Sequence, residues 1–390
     1  MKKLQVLLLL ALTSTLLLFG CQDKEKIEQP ALNPIEETTP AAESSEVTEE
    51  TQPAVTETPA PDLPPAEGMV RSKLTNEWID EETAEMRPIA VMIPNTKTAS
   101  QYGISTADIV YECNVESSIT RLMGIWEDWD EIEKVGNIRS ARDYFVYWAF
   151  EWDALLVHYG GPFYMDDLIA RDDTQNIDLN VDTSKTYHSR DNAKNTYDNA
   201  FTNAELLKDY IKDKDYPSNY REGYTDEQHF TFASDQEPNT LENYPDAITA
   251  NMVDMSLAYP LTNCYFIYNE ETGLYDRFQH LTGESDGPHI DLASNEQLAF
   301  KNILIQNTYY EIRDQKGYLA FQCHDTTRDG WFFTNGKGIH VTWEKVADYS
   351  ATRYYDDNGN EIKLNTGKTM ICIVEDGDVF TVDGKIVEAK

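Results

Sequence analysis

Residues 22–68 contain no aromatic residue, and that absence confines folding to the chain beyond residue 68. The stretch is built of Pro, Thr, Glu, Ala and Ser, with twelve acidic residues against Lys24 and Lys26. Such a composition buries too little apolar surface to offset the entropy of ordering it. Like charges and scattered prolines keep it extended. The sequence therefore predicts a disordered acidic tether over 21–68, with a reach on the order of 40 Å for a flexible chain of this length. A packed structure belongs to the residues from 69 onward, enough for two domains or one large one.

The start of the chain gives the tether a purpose. Lys2 and Lys3 precede an apolar run from Leu4 to Phe19, followed by Gly20 and Cys21. That order is a secretory signal over 1–20. At roughly 15 residues the run is short for a bilayer-spanning helix, which needs about 20. Leu18-Phe19-Gly20-Cys21 resembles a bacterial lipobox. The resemblance implies cleavage before Cys21 and acylation of its thiol (diacylglycerol, palmitate), because several acyl chains on one residue anchor stably. The expected location is the extracytoplasmic face of the cell membrane.

From residue 69 the chain carries 57 acidic and 28 basic residues, a net charge near −29. A field of that sign repels nucleic-acid phosphates and anionic lipid headgroups, so no nucleic-acid partner is expected. Cys113, Cys264, Cys323 and Cys372 each sit in a strand-like run, and none belongs to a Cys-x-x-Cys pair. Buried thiols are the default reading. Export also permits a disulfide, the best pairing then being between two of the three C-terminal cysteines.

Periodicity sorts the remainder into an α+β fold, an N-terminal α/β domain followed by a mostly β C-terminal domain. Pro88 to Ile93 is a continuous apolar run, as in a strand buried on both faces. Asp108–Val115 and Arg121–Trp126 read as further strands. A helix follows over Ala141–Glu151, then a strand over Ala154–Tyr159. Helices over Phe163–Ala170 and Asn203–Lys212 complete a domain at 69–215. Residues 216–250, polar and rich in turn formers, read as a connection. Over 251–390 the period becomes two, with a hairpin across Glu270-Glu271-Thr272 and strands near 303–310, 317–323, 331–334, 339–343 and 370–374.

Several polar residues stand where chemistry would need them. Ser140-Ala141-Arg142-Asp143 has capping-box form, and Arg139 and Arg142 flank the same helix start as a candidate anion site. His158 closes a buried strand just before Gly160-Gly161, where ligands of open α/β sheets lie. Glu112 and Glu116 share one strand face at even spacing, and Arg121 opens the next strand. Glu112, Glu116 and His158 are the catalytic candidates; Arg121, Arg139, Arg142, Gly160 and Gly161 are ligand-binding candidates. Asp286, His289 and Asp291 bring a histidine and two carboxylates into one turn, adding His289 and Asp291 to that set. Asp356-Asp357-Asn358-Gly359 reads as a hairpin turn rather than a calcium loop. Signatures of serine hydrolases, zinc proteases, P-loops and dinucleotide folds are missing. No metal or cofactor is expected.

The quoted runs resemble the YerB-like lipoproteins of Gram-positive bacteria, a two-domain family of unknown function. The resemblance lies in Arg87-Pro88-Ile89-Ala90-Val91-Met92-Ile93, Ala107-Asp108-Ile109-Val110-Tyr111-Glu112, Thr120-Arg121-Leu122-Met123, Arg139-Ser140-Ala141-Arg142 and His158-Tyr159-Gly160-Gly161. It continues at Pro288-His289-Ile290-Asp291, Thr342-Trp343-Glu344-Lys345 and Thr352-Arg353-Tyr354-Tyr355-Asp356. Pro94 departs from the pattern, standing where members usually carry Asn. The resemblance implies an envelope setting with a link to cell-wall or sporulation machinery. The expected function is a binding or scaffolding lipoprotein whose partners are envelope proteins or wall fragments. The alternative is an enzyme acting on a wall glycan or peptide through Glu/His/Arg chemistry.

Overall fold

Ile89, Val91 and Ile93 pack into one hydrophobic core while Ala90 and Met92, between them, pack into another. This alternation is the basis of the architecture: a strand with apolar residues at every position is covered on both faces. The computed structural model describes residues 62–191, 198–224, 229–281 and 284–387. The signal segment, Cys21 and nearly all of the tether lie outside them.

The first half contributes five strands to the central sheet: β1 (Ile89–Pro94), β2 (Ile109–Asn114), β3 (Thr120–Trp126), β4 (Leu155–His158) and β5 (Asn176–Asp178). Helix α1 (Asp143–Phe150) precedes β4, and helix α2 (Ala204–Asp213) follows β5. The second half adds β6 (Met252–Asp254), β7 (Tyr265–Asn269), β8 (Leu274–Gln279), β9 (Asn302–Thr308), β10 (Asp325–Thr334), β11 (Lys337–Lys345) and β12 (Thr369–Glu375).

The central sheet runs β11-β10-β9-β12-β2-β3-β1-β4-β5, with two short strands, Ile248–Thr249 and Arg353–Tyr355, beside β11. It is mixed. β12 lies parallel to both β9 and β2, and β4 lies parallel to both β1 and β5, while the other neighbours are antiparallel. The β12–β2 contact joins the two halves of the chain, with Met370 opposite Val110 and Cys372 opposite Glu112. A second, antiparallel sheet is built around β6, β7 and β8.

Tyr144, Phe145 and Trp148 of α1 share one core with Met92, Tyr111 and Ile371. Leu207 and Ile211 of α2 share the opposite core with Val91, Val110 and Met370, as do Val253, Phe266 and Tyr275 of the small sheet. Each fully buried aliphatic or aromatic side chain contributes roughly 1.5–3 kcal/mol, so the two cores dominate stability.

The described chain is mostly β with limited helix. Asn203 caps α2 by accepting from the Leu206 amide at 2.9 Å, which fits an amphipathic helix entered from an extended residue. Other expectations are corrected. The helix expected over Phe163–Ala170 starts at Phe163 but as a 3-10 turn, Phe163–Met165, with only the four-residue helix Asp166–Ile169 after it. α1 begins at Asp143 after extended Arg142, without a side-chain cap. Ser140 instead donates to the Tyr159 carbonyl at 3.0 Å, so the capping box does not form. β2 ends at Asn114, and Glu116 opens a single 3-10 turn. Glu112 and Glu116 therefore do not share a strand face. All four cysteines are buried free thiols, and burial pushes the pKa of each well above its ordinary value. The C-terminal disulfide does not form.

Candidate functional site

Glu112 lies mid-strand in β2, on the face toward the small sheet, and its side chain is fully buried. Its Oε1 accepts from Thr120 Oγ1 at 2.6 Å and from Asn95 Nδ2 at 3.0 Å. Its Oε2 accepts from Arg277 Nη2 at 2.8 Å and from the Cys264 thiol at 3.5 Å. A carboxylate with this many donors is satisfied as an anion, and nothing from solvent reaches it.

The same network takes in His289. Arg277 Nη1 donates to His289 Nδ1, and His289 Nε2 donates to Gln101 Oε1. The tautomer follows from the far end: Gln101 uses its Nε2 to reach the Pro94 carbonyl at 2.7 Å, so its oxygen is the acceptor. Burial, reinforced by the Arg277 charge, lowers the His289 pKa well below its ordinary value, which keeps the ring neutral. Asp291 accepts from the Gly103 and Ser105 amides at 3.0 and 2.8 Å and from the Ser105 hydroxyl at 2.8 Å. Asp286 instead accepts from Tyr265 at 2.9 Å. The three residues expected to share one turn thus face three different partner sets.

The arginines gather at the start of α1. Arg142 forms a two-pronged ion pair with Glu116, through Nε at 2.6 Å and through Nη2. Arg139 lies 3.1 Å from Asp198. Arg121, only 6% exposed, donates to the Ser140 carbonyl and has no carboxylate within ion-pairing distance among the described residues. Burial, and then the neighbouring Arg142 and Arg139 charges, pull its guanidinium down to about 9. Its Nε has no hydrogen-bond partner. Of the three, Arg121 is the one without an ion-paired carboxylate among the described residues.

His158 borders this cluster. Its Nδ1 pairs with the Gly160 carbonyl at 2.9 Å and its Nε2 with Asn176 Oδ1 at 3.0 Å, which fixes the ring. The Gly160 carbonyl also accepts from the Ala141 amide at 3.0 Å, tying the turn to the helix start. Gly160 adopts φ +68°, where a side chain would be strained, and a Cβ on Gly161 would strike Met165 Sδ. The glycines are there for close packing. His158 shares no bonding partner with Glu112, so the structure does not bring those two catalytic candidates together.

The residues that the sequence reading missed lie at the mouth of the β2–β3 pair. Asp108 and Glu127 flank these strands, and the Glu127 amide donates to Asp108 Oδ2 at 2.7 Å. Glu127 also accepts from the Ser72 hydroxyl and, at 3.3 Å, from the Lys73 amide. Both carboxylates line a cleft of about 790 Å³ with Ile79, Ile132, Leu292 and Lys368. Burial raises the Asp108 carboxyl to about 7 against the hydrogen bond from the Glu127 amide, and burial also raises Glu127. Paired carboxylates of raised pKa in a cleft are candidate proton-transfer groups. The available signal was positional: antiparallel pairing brings together an acid just before one apolar run and an acid just after the next.

Residues 74–217 match the N-terminal domain, and residues 255–371 the C-terminal domain, of DUF3048, described as a protein of unknown function. The chain is 26% identical over 336 residues to YerB of Bacillus subtilis (strain 168), a protein named as a candidate lipoprotein. That match covers 82% of this chain and 91% of YerB. The crystal structure of YerB protein from Bacillus subtilis is similar in fold, with a TM-score of 0.66 over 78% of this chain and 96% of that one, at 23% identity. The Asp108–Glu127 cleft draws its walls from both matched segments.

Proposed function

The chain belongs to the YerB-like family defined by the two DUF3048 domains, and we propose that it is a lipid-anchored envelope protein whose folded part is a binding module linked to cell-wall or sporulation machinery. The anchor reading rests on the signal-like start and Cys21, and the name of the Bacillus relative supports it. No helix among the described residues is long and apolar enough to cross a membrane. The module comprises both proposed domains, 69–215 and 251–390. The α/β character of the first rests on parallel β1, β4 and β5 with α1 leading into β4.

The observation that carries the binding reading is Arg121, a buried cation with no carboxylate at ion-pairing distance among the described residues and with the Arg142 and Arg139 charges as neighbours. On a strongly acidic protein this is a local invitation to an anion, and the planar fork suits a carboxylate. The ligand class is a carboxylate-bearing wall peptide. Titrating the full-length chain in detergent with an N-acetyl dipeptide and with its C-terminal amide tests this. The free acid should bind at least tenfold more tightly than the amide, and Arg121→Gln should erase the difference. Equal binding of acid and amide would overturn the reading.

One observation favours the second reading, an enzyme acting on a wall glycan or peptide: the Asp108 carboxyl titrates near neutrality beside Glu127. It supports general acid–base chemistry at the cleft rather than at the saturated Glu112 or the pinned His158. Product release from purified muropeptides, lost in Asp108→Asn with the fold retained, would establish it. Inertness of the wild type would dismiss it.

A further inference from the structure

A second constellation lies at the opposite end of α1 from the arginines. Glu151, just beyond α1, is fully buried. Its Oε1 accepts from the Tyr111 hydroxyl at 2.6 Å, and its Oε2 accepts from the Thr352 amide at 2.9 Å and hydroxyl at 2.6 Å. Buried Lys345 lies 3.7 Å away and offsets the charge. His229 stacks on the Trp152 ring, with centroids 3.4 Å apart and planes inclined by 13°. Its Nε2 is 3.4 Å from Glu151 Oε2.

What sets His229 apart is that its ring is about 95% buried and yet, beyond the approach of Nε2 to Glu151, it has no hydrogen-bond partner among the described residues, and Nδ1 has none at all there. A buried polar group in that state needs an explanation. The ring lines a cavity of about 360 Å³ with Glu151, Tyr224, Tyr349 and Ser350. The hydroxyls of the last three are committed: Tyr224 donates to the Glu151 carbonyl, Tyr349 to the Asp173 carbonyl at 3.1 Å, and Ser350 to the Ala347 carbonyl at 3.0 Å. Burial lowers the pKa of His229 below its ordinary value despite Glu151, so the ring is neutral. With Nε2–H turned to Glu151, the lone pair is on Nδ1 and lacks a donor.

We propose that this cavity is a ligand site in which His229, oriented by Glu151, accepts a hydrogen bond from a small uncharged hydroxyl-bearing molecule about the size of one sugar ring. Tyr224 and Tyr349 contribute aromatic atoms to the wall of the cavity, which suits the apolar surface of such a ring. The charge balance of Glu151 with Lys345 gives an ion no advantage.

D-glucose and the similarly sized cation glucosamine are suitable probes for the full-length protein in detergent, followed by calorimetry and by the nitrogen shifts of ¹⁵N-labelled His229. Glucose should bind saturably with a dissociation constant on the order of 1–10 mM and move the Nδ1 resonance. His229→Phe, which keeps the stack on Trp152, should weaken binding at least tenfold. Ala351→Phe, which fills the cavity without touching the histidine, should abolish it. Arg121→Gln should leave glucose binding unchanged, so this site stands or falls apart from the anion site. Absence of saturable glucose binding, undiminished binding by a folded His229→Phe protein, or preference for glucosamine would each overturn the proposal.

Discussion

Arg277 donates through Nη2 to Glu112 Oε2 at 2.8 Å, with both side chains fully excluded from solvent. The residues lie 165 positions apart, Glu112 in β2 and Arg277 in β8. The bond therefore stitches the small sheet onto the central one, and through His289 and Gln101 it continues to the segment after β1.

Breaking such a pair differs from replacing it. Glu112→Gln or Arg277→Met alone leaves a buried charge without its counter-ion and should destabilise by about 3–5 kcal/mol. The double replacement Glu112→Leu with Arg277→Met removes both charges and should cost far less than the sum of the single changes. Urea unfolding of the four proteins measures the coupling. Additive losses would show that the pair does not act as a unit.

Two carboxylates give stability a rise and a fall with pH. The Glu151 pKa is lowered to about 2, against the opposing effect of burial, by Lys345, His229 and Thr352. Its contribution is present above the ordinary value of 4.5 and is lost as pH falls through about 2. Asp108 has the opposite sign. Its carboxyl is raised from 3.8 to about 7, so its contribution is fully present below 3.8 and is lost as pH rises through about 7. Glu151→Gln should flatten the acid limb and Asp108→Asn the neutral limb, read from unfolding free energies across the range. Unchanged limbs in both variants would refute the assignment.

The strands were legible and their partners were not. Ile89–Pro94 declares itself by six consecutive buried positions, and Ala204–Asp213 by apolar residues at helical spacing with Asn203 in front. These are local signals. Arg277 carries none: it alternates in a hairpin strand like any exposed residue, and only the approach of β2 makes it an interior cation. The same holds for His229, whose meaning depends on Glu151 and Trp152, more than seventy positions earlier. Arg139 and Arg142 were found because they flank a helix start. That their charges neighbour Arg121 emerges only from the β3–α1 packing.

The anchor is testable independently of the fold. Cys21→Ser should abolish palmitate labelling and leave a longer, unprocessed chain, resolved by electrophoresis and intact mass. Continued labelling of the substituted protein would rule Cys21 out as the acylated residue.

Glu116 supplies the sharpest test of the arginine cluster, because it occupies Arg142 through two bonds and competes with any incoming carboxylate. Glu116→Gln keeps the shape and removes that competitor, so an N-acetyl dipeptide carrying a free carboxylate should bind more tightly, by roughly 1–2 kcal/mol. Arg142→Ala should weaken the same binding by roughly 1–3 kcal/mol, since it deletes one donor and turns Glu116 loose on the remaining cations. Thermal unfolding of both variants separates ligand effects from damage, given that Arg142 also donates to the Ala141 carbonyl at 2.7 Å. Should Glu116→Gln weaken dipeptide binding while the fold is intact, Glu116 would be part of the recognition surface, and the cluster would not be a carboxylate site.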